Sequence, residues 1–143
     1  MKLQTALAAL AVIATPMSAL ADASRDAFVE DLFEAFNEHD VDKLMTFYAD
    51  DVIVHGPESC EPKVGKEAVR ASYTEMFEQI PDVHDEVDLI VTQGDMTAVT
   101  FTASSNIPGY EFEMPIAVFF KMEDGLVVED RVFFDSDITP DCS

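Results

Sequence analysis

Two side chains in this sequence combine acid–base chemistry with a position where such chemistry is useful. His55 ends a short β-branched run, residues 52–54, and is followed by Gly56. An imidazole titrates near neutral pH, which suits a general base. Asp130 lies in the last apolar-and-charged segment, residues 126–135, and an apolar setting there would raise the pKa of its carboxyl group and let it act as an acid. His55 and Asp130 are therefore the candidate catalytic residues.

Residues for other site chemistries are missing or badly spaced. The three histidines, His39, His55 and His84, stand apart, without the short spacing of a metal site. The sequence holds no Gly-rich phosphate loop and no G-x-S-x-G motif. We therefore predict no metal and no cofactor, and we interpret His39 as solvated and His84 as structural.

The charge of the chain excludes some partners. Its formal net charge is −21, which repels nucleic acid and anionic lipid headgroups. Tryptophan is absent, as is the pairing of aromatic and basic residues typical of nucleic-acid binders. No segment after the N-terminus has the length and apolarity of a membrane span. We predict neither nucleic acid as a partner nor a membrane span, and we interpret the acidic coat as a solvated surface.

The first 21 residues have the pattern of a secretory signal peptide. Lys2 precedes an apolar run at residues 3–14, Pro16 breaks it, and residues 19–21 form an A-x-A cleavage site. We predict cleavage after Ala21 and a periplasmic or secreted mature domain over residues 22–143. Removing Lys2 and no acidic residue changes the net charge from −21 to −22.

The two cysteines are Cys60 and Cys142. An oxidising compartment favours their pairing. A bridge would close a loop of roughly 80 residues, worth about 4 to 5 kcal/mol on a loop-entropy model before strain is subtracted. The bridge is the favoured interpretation, and two unpaired thiols are the alternative.

Hydrophobic periodicity predicts three helices followed by a sheet. Helices are predicted at residues 24–38, at a short segment capped by Asp40, and at residues 65–80. Period-two alternation and turn residues, including Asp124-Gly125, then predict strands. The predicted strands cover residues 52–54, 83–92, 97–105, 113–122 and 126–135. This order indicates one α+β domain.

The residues in this order resemble the NTF2-like superfamily, in particular SnoaL-like domain proteins. The resemblance is carried by Phe36, Asp40 and Leu44, by the run Phe47-Tyr48-Ala49-Asp50-Asp51-Val52, by residues 65–69, and by Asp124-Gly125 before Val127. Relatives include ketosteroid isomerases, limonene-epoxide hydrolases and polyketide cyclases. The resemblance implies a cone-like, curved antiparallel sheet wrapped around three N-terminal helices. It also implies an internal pocket and a homodimer formed through the sheet.

The resemblance does not carry over the known catalytic sets. The isomerase base falls on Gly56, the oxyanion-hole tyrosine on Leu32 and the protonated aspartate on Ala117. The epoxide-hydrolase residues fall on apolar positions or glycine: Val54, Gly56, Phe101, Ala103 and Val132. A slip of one residue in the last strand brings Asp130 or Arg131 closer but restores neither set.

Strand alternation places His55 on the face opposite Gly56, away from the pocket. A bulge near Gly56 and Pro57 would turn His55 inward, and this alternative stays open.

The positions that line the family's pocket are mostly apolar in this chain. They correspond to Leu32, Val54, Val99, Phe101, Ala103, Ala117, Phe119, Val132 and Phe134. Tyr73, Glu113 and Asp130 are expected at the mouth. The sequence is compatible both with a filled core and with an open hydrophobic cavity.

We therefore expect an exported domain that binds a small apolar molecule. The alternative is an enzyme of the isomerase, cyclase or hydrolase kind that uses His55 or Asp130 as its acid or base.

Overall fold

The computed structural model describes residues 17–135, with side chains from residue 23 onward. Three helices and six strands follow one another along this part of the chain. In chain order they are α1 (Met17–Asn37), α2 (Val41–Met45), β1 (Tyr48–His55), β2 (Lys63–Val64), α3 (Lys66–Gln79), β3 (His84–Gln93), β4 (Met96–Ser105), β5 (Phe112–Glu123) and β6 (Leu126–Phe134). None of the helices in this range is long and apolar enough to cross a membrane.

The sheet has the strand order β2-β1-β6-β5-β4-β3. Strands β3 to β6 form an antiparallel meander, whereas β1 pairs with β6 in parallel. The predicted α+β class with a cone-like, curved sheet over three helices is confirmed. The sheet is mixed rather than wholly antiparallel, because β1 enters beside the last strand of the meander.

Helix α1 is amphipathic and covers the concave face of the sheet. Its buried stripe consists of Val29, Leu32, Phe33, Ala35 and Phe36. These positions recur at the helical spacing of three and four residues. The helix begins at Met17, so the predicted cleavage after Ala21 would fall inside it.

A short turn and an N-cap connect α1 to α2. His39 adopts a left-handed conformation with φ of +55°, which reverses the chain after α1. The Asp40 carboxylate then accepts a hydrogen bond of 2.9 Å from the Lys43 amide, as an N-cap does. The predicted cap is therefore present.

Glycine and aspartate make the tight turn between β5 and β6. Asp124 and Gly125 have φ values of +51° and +77°. Two consecutive positive φ angles are typical of the type I′ turn, whose twist matches that of the paired strands. The predicted Asp124-Gly125 hairpin is present in the structure.

A β-bulge in β3 reverses which of its side chains point toward the core. The register to β4 shifts between Val87 and Leu89. As a result Asp85 is buried, whereas Leu89 and Val91 are exposed. A β-bulge inserts one residue and therefore reverses the alternation beyond it.

Two predictions concern residues outside the described range. The signal peptide falls mainly on residues 1–16, and the disulfide needs Cys142. Both stay predictions.

Candidate functional site

A cavity of about 460 Å³ lies between the helices and the concave face of the sheet. Its size lies within the usual range of small-molecule pockets, roughly 300–1,000 Å³. Most of its lining is apolar and much of it is aromatic. The apolar lining includes Leu32, Phe33, Phe36, Met76, Ile80, Val83, Phe101, Ala103, Phe112, Met114, Ile116, Val118, Phe120, Val132 and Phe134. The core is therefore open rather than filled.

A polar cluster of Tyr48, Tyr73 and Asp130 interrupts this lining. The two phenol oxygens lie 3.0 Å apart, and the Tyr48 hydroxyl donates a hydrogen bond of 3.4 Å to Asp130 Oδ2. Tyr48 comes from β1, Tyr73 from α3 and Asp130 from β6, so the cluster forms only in the folded protein. The side chain of Asp130 is almost fully buried, and within residues 17–135 its Oδ1 has no hydrogen-bond partner.

A second buried carboxyl group, that of Asp85, faces the same cavity from β3. Its backbone is held by the side chain of Asn37, at the end of α1. Asn37 donates to the Asp85 carbonyl and accepts from the Asp85 amide, each over 2.8 Å. Asp85 Oδ1 is also buried and finds no hydrogen-bond partner in the described part of the chain.

Burial governs the protonation of these groups. It raises the pKa of Asp130 to about 7, against a small lowering by the Tyr48 hydrogen bond. Burial likewise raises the pKa of Asp85 to about 7. It also raises the pKa values of Tyr48 and Tyr73 above their ordinary range, and the negative charge of Asp130 adds to both shifts. Near neutral pH the cavity thus contains two neutral phenols and two carboxyl groups that change charge easily.

The structure brings seven of the sequence-predicted residues to this cavity. They are Leu32, Tyr73, Phe101, Ala103, Asp130, Val132 and Phe134. Asp130 lies deep in the cavity rather than at its mouth, because β6 turns it inward beside Tyr48. Whether any of these residues binds a ligand stays a prediction.

Three predicted residues on β5 lie on the other face of the sheet. Glu113, Ala117 and Phe119 do not line the cavity, and Phe119 is 40% exposed. The lining of β5 comes instead from the even-numbered positions, such as Ile116 and Val118. Both faces of this strand are apolar, so the sequence pattern does not indicate which face points inward.

Two further predicted residues lie near the main cavity but do not line it. Val99 is buried in the core without lining the cavity. Val54 lines an adjoining cavity of about 250 Å³ beneath the loop of residues 56–62. The two cavities share five lining residues, which are Glu58, Tyr73, Met76, Val132 and Phe134.

The candidate base His55 is absent from the lining of the main cavity. Its Nε2 lies 3.3 Å from a carboxylate oxygen of Glu129, which also contacts Arg131. Glu129 and Arg131 lie on β6 opposite Lys121 and the exposed Phe119 of β5. The cluster therefore belongs to the outer face of the sheet. The register shift in β1 falls between Tyr48 and Ile53, before the position where a bulge would have turned His55 inward.

The other two histidines have different settings. His39 donates a 2.8 Å hydrogen bond to the Val83 carbonyl and stacks on Phe77, so it joins the inter-helix turn to the start of β3 and is not merely solvated. His84 is exposed at the start of β3. Within residues 17–135 no group of three or more His, Cys, Asp or Glu side chains has the arrangement of a metal site.

Sequence reasoning missed Tyr48 and Asp85 as cavity residues. Tyr48 has helical spacing with Leu44 and Met45, which favours a place in the short helix rather than in a strand. Asp85 is an acidic residue near the start of a strand, and such a residue is typical of an exposed position. The only usable signal was its spacing of two from Val87, which also faces inward.

A model of the SnoaL-like domain matches residues 29–130. This match covers more than half of the 143 residues. The chain belongs to the SnoaL-like domain family. The family resemblance inferred from the sequence is thereby confirmed. Comparison with curated proteins gives no match.

Solved SnoaL-like and related structures share this fold. IdmH of Streptomyces antibioticus, a proposed polyketide cyclase, is 24% identical with a TM-score of 0.69, over 80% of this chain and 94% of IdmH. A SnoaL-like protein of unknown function from Burkholderia thailandensis is 24% identical with a TM-score of 0.70, over 81% and 97% of the two chains. An uncharacterised cystatin-fold protein from Novosphingobium aromaticivorans is 16% identical with a TM-score of 0.68, over 75% and 95%.

Proposed function

We propose that this SnoaL-like domain binds a small, predominantly apolar molecule whose single polar group contacts Asp130. The observation that carries the proposal is the buried, unpartnered Oδ1 of Asp130 in an apolar cavity of about 460 Å³. Leaving a buried polar atom without a partner costs about 1–3 kcal/mol. A ligand that supplies the partner would recover that cost while burying its apolar part against the aromatic lining.

A matched pair of substitutions tests this proposal. Ala103 lines the cavity, whereas Ala117 lies on the opposite face of the sheet. Ala103→Phe should fill the cavity and abolish the retained ligand, and Ala117→Phe should leave the ligand bound. Native mass spectrometry of the purified protein measures the extra mass and its loss on denaturation. Equal retention by both variants would place the ligand elsewhere.

A second candidate is an acid–base enzyme that uses Asp130, since His55 does not line the main cavity. The observation in favour is that the pKa of Asp130 is raised to about 7 by burial, close to the optimum for proton transfer at neutral pH. The Tyr73 hydroxyl, 3.0 Å from that of Tyr48, would donate a hydrogen bond to a developing oxyanion. An enzyme of this kind should catalyse deuterium exchange next to the carbonyl of a bound ketone, and a simple binder should not.

We also propose export and self-association for this domain. Export is supported by the leader pattern at residues 1–21. Self-association is supported by the outer face of the sheet, where Phe119 and Phe133 form an exposed edge-to-face pair with ring centroids 5.7 Å apart. Leu89 and Val91 extend this exposed apolar surface on β3.

A further inference from the structure

The cavity contains acidic groups and no basic ones. Three carboxylic side chains line it, those of Glu58, Asp85 and Asp130, and no lysine, arginine or histidine is found among its described lining residues. Glu58 is exposed at the rim, whereas Asp85 and Asp130 are 7% and 2% exposed. Each buried group has one oxygen, Oδ1, without a partner among residues 17–135. Buried carboxylates in proteins are normally paired with a cation, because removing the charge from water is costly.

The two buried carboxyl groups approach the cavity from different walls. Asp85 comes from β3, at one edge of the sheet, and Asp130 from β6, near the other. The charges of both carboxylates contribute to raising the pKa of the Tyr73 phenol on α3, so both act on this part of the cavity. A ligand that occupies this space therefore meets negative potential from both sides.

The rest of the lining suits a cation that is also hydrophobic. Phe33, Phe36, Tyr73 and Phe101 are among its aromatic side chains. The face of an aromatic ring attracts an ammonium group by about 0.5–2 kcal/mol, and more strongly when water is excluded. The net charge of −21 also raises the local concentration of cations around the protein.

We propose that the ligand of this cavity is a small hydrophobic amine, bound as its ammonium cation against Asp130, with Asp85 adding negative charge to the same cavity. This inference rests on the proposed ligand-binding function and specifies the charge of the ligand. The ammonium group donates a hydrogen bond to the unpartnered Oδ1 of Asp130, and its hydrocarbon part contacts the aromatic lining. The opposite arrangement, in which protonated carboxyl groups donate to a neutral ketone or alcohol, gives the competing result in the test below.

Two probes with the same number of non-hydrogen atoms separate these arrangements. N,N-dimethyl-2-phenylethylamine is protonated at pH 8, and 4-phenyl-2-butanone is neutral. We expect the unmodified protein to bind the amine at least tenfold more tightly than the ketone at pH 8, as measured by isothermal titration calorimetry. The preference should fall to less than threefold in the double variant Asp85→Asn/Asp130→Asn and persist in Asp51→Asn, whose side chain is exposed.

The pH dependence gives an independent readout. The groups that face Asp130 are the phenols of Tyr48 and Tyr73, and both stay neutral between pH 5 and pH 8. Asp85 lies beside Asn37 and also lines an open depression with the acidic Glu30, Glu34, Glu38 and Glu86 and with His84. Ionisation of the two buried carboxyl groups should therefore strengthen amine binding about tenfold or more from pH 5 to pH 8. Binding of the ketone should weaken over the same interval.

The outcomes separate the inference from the proposed function. Tighter binding of the ketone, or an amine affinity that falls as the pH rises, would overturn the cationic ligand while leaving a ligand-binding cavity in place. Binding of neither probe, together with equal ligand retention by Ala103→Phe and Ala117→Phe, would overturn both. A preference for the amine that survives in the double variant would also contradict the inference.

Discussion

At the scale of single residues, Asp130 dominates the chemistry of the cavity. Its carboxyl group meets one phenol at 3.4 Å and otherwise apolar surroundings. A group kept in such a place lowers the stability of the ligand-free fold at high pH. In the two proposals above, the same group exchanges a proton near neutral pH or holds a cationic ligand.

The stability of the ligand-free protein should report this cost. The pKa of Asp130 is about 7 in the folded protein, whereas the ordinary value of an aspartate, which applies to the unfolded chain, is 3.8. The unfolded chain therefore releases this proton first, and the free energy of unfolding falls as the pH rises from about 4 through 7. The full effect is of the order of 4 kcal/mol, as an upper limit.

Asp130→Asn should accordingly stabilise the ligand-free protein more at pH 8 than at pH 5, with a difference of about 2 kcal/mol between the two pH values. Asp85 titrates in the same way in the variant and in the unmodified protein, so its contribution cancels from the difference in stability. Urea unfolding at the two pH values measures the difference, with Asp51→Asn as the exposed control. A stability change of the same size at pH 5 and pH 8 would show that Asp130 is not titrating in this interval.

At the scale of elements, the junction between α1 and β3 positions the second carboxyl group. Strand β3 is an edge strand, so the backbone of Asp85 has no strand on its outer side. The amide side chain of Asn37 takes the place of that neighbour with two hydrogen bonds of 2.8 Å. The end of the helix thereby determines where Asp85 lies.

Asn37→Ala should destabilise the protein by about 2 kcal/mol, because it removes both bonds and leaves a partly buried amide and carbonyl unpaired. Glu34→Ala is the matched control on the same helix. Glu34 is exposed and forms only a surface ion pair of 3.8 Å with Lys43, which contributes about 0–1 kcal/mol. Chemical denaturation measures both values. Similar losses for the two variants would mean that the Asn37 contact is not structural.

The element scale also explains why sequence patterns misplaced part of the lining. In β4 only one face is strongly apolar, and the predicted Phe101 and Ala103 line the cavity. In β5 both faces are apolar, and the structure uses the face opposite to the predicted Ala117 and Phe119. The strand pairing determines which face of β5 lines the cavity, since Phe101 lies opposite Ile116 rather than Ala117.

At the scale of the whole molecule, the outer face of the sheet is the most exposed apolar surface described. It carries Phe133 and Phe119, which are 54% and 40% exposed. The helices cover only the concave face, so the convex face lies open along the described residues. A second copy of the chain would cover it with a surface of the same composition.

Phe133→Glu should therefore disrupt the proposed homodimer, because it places a charge in the centre of the apolar contact. Light scattering after gel filtration should give the mass of a dimer for the unmodified protein and of a monomer for the variant. Glu113→Gln, on the same face but at an exposed polar position, should leave the dimer intact. A monomeric unmodified protein would contradict the proposal.

The two-residue strand β2 was not predicted. Apart from it, the sequence by itself determined the order of the elements, the α+β class and the family. It did so because helical and strand periodicities are local, and because caps and turns such as Asp40 and Asp124-Gly125 are specified by neighbouring residues. The tertiary structure alone decided which faces line the cavity, since a bulge in β3 and the register of β5 depend on strand pairing. It also decided the site, because Tyr48, Tyr73, Asp85 and Asp130 come from four separate elements and acquire their shared chemistry only when burial brings them together.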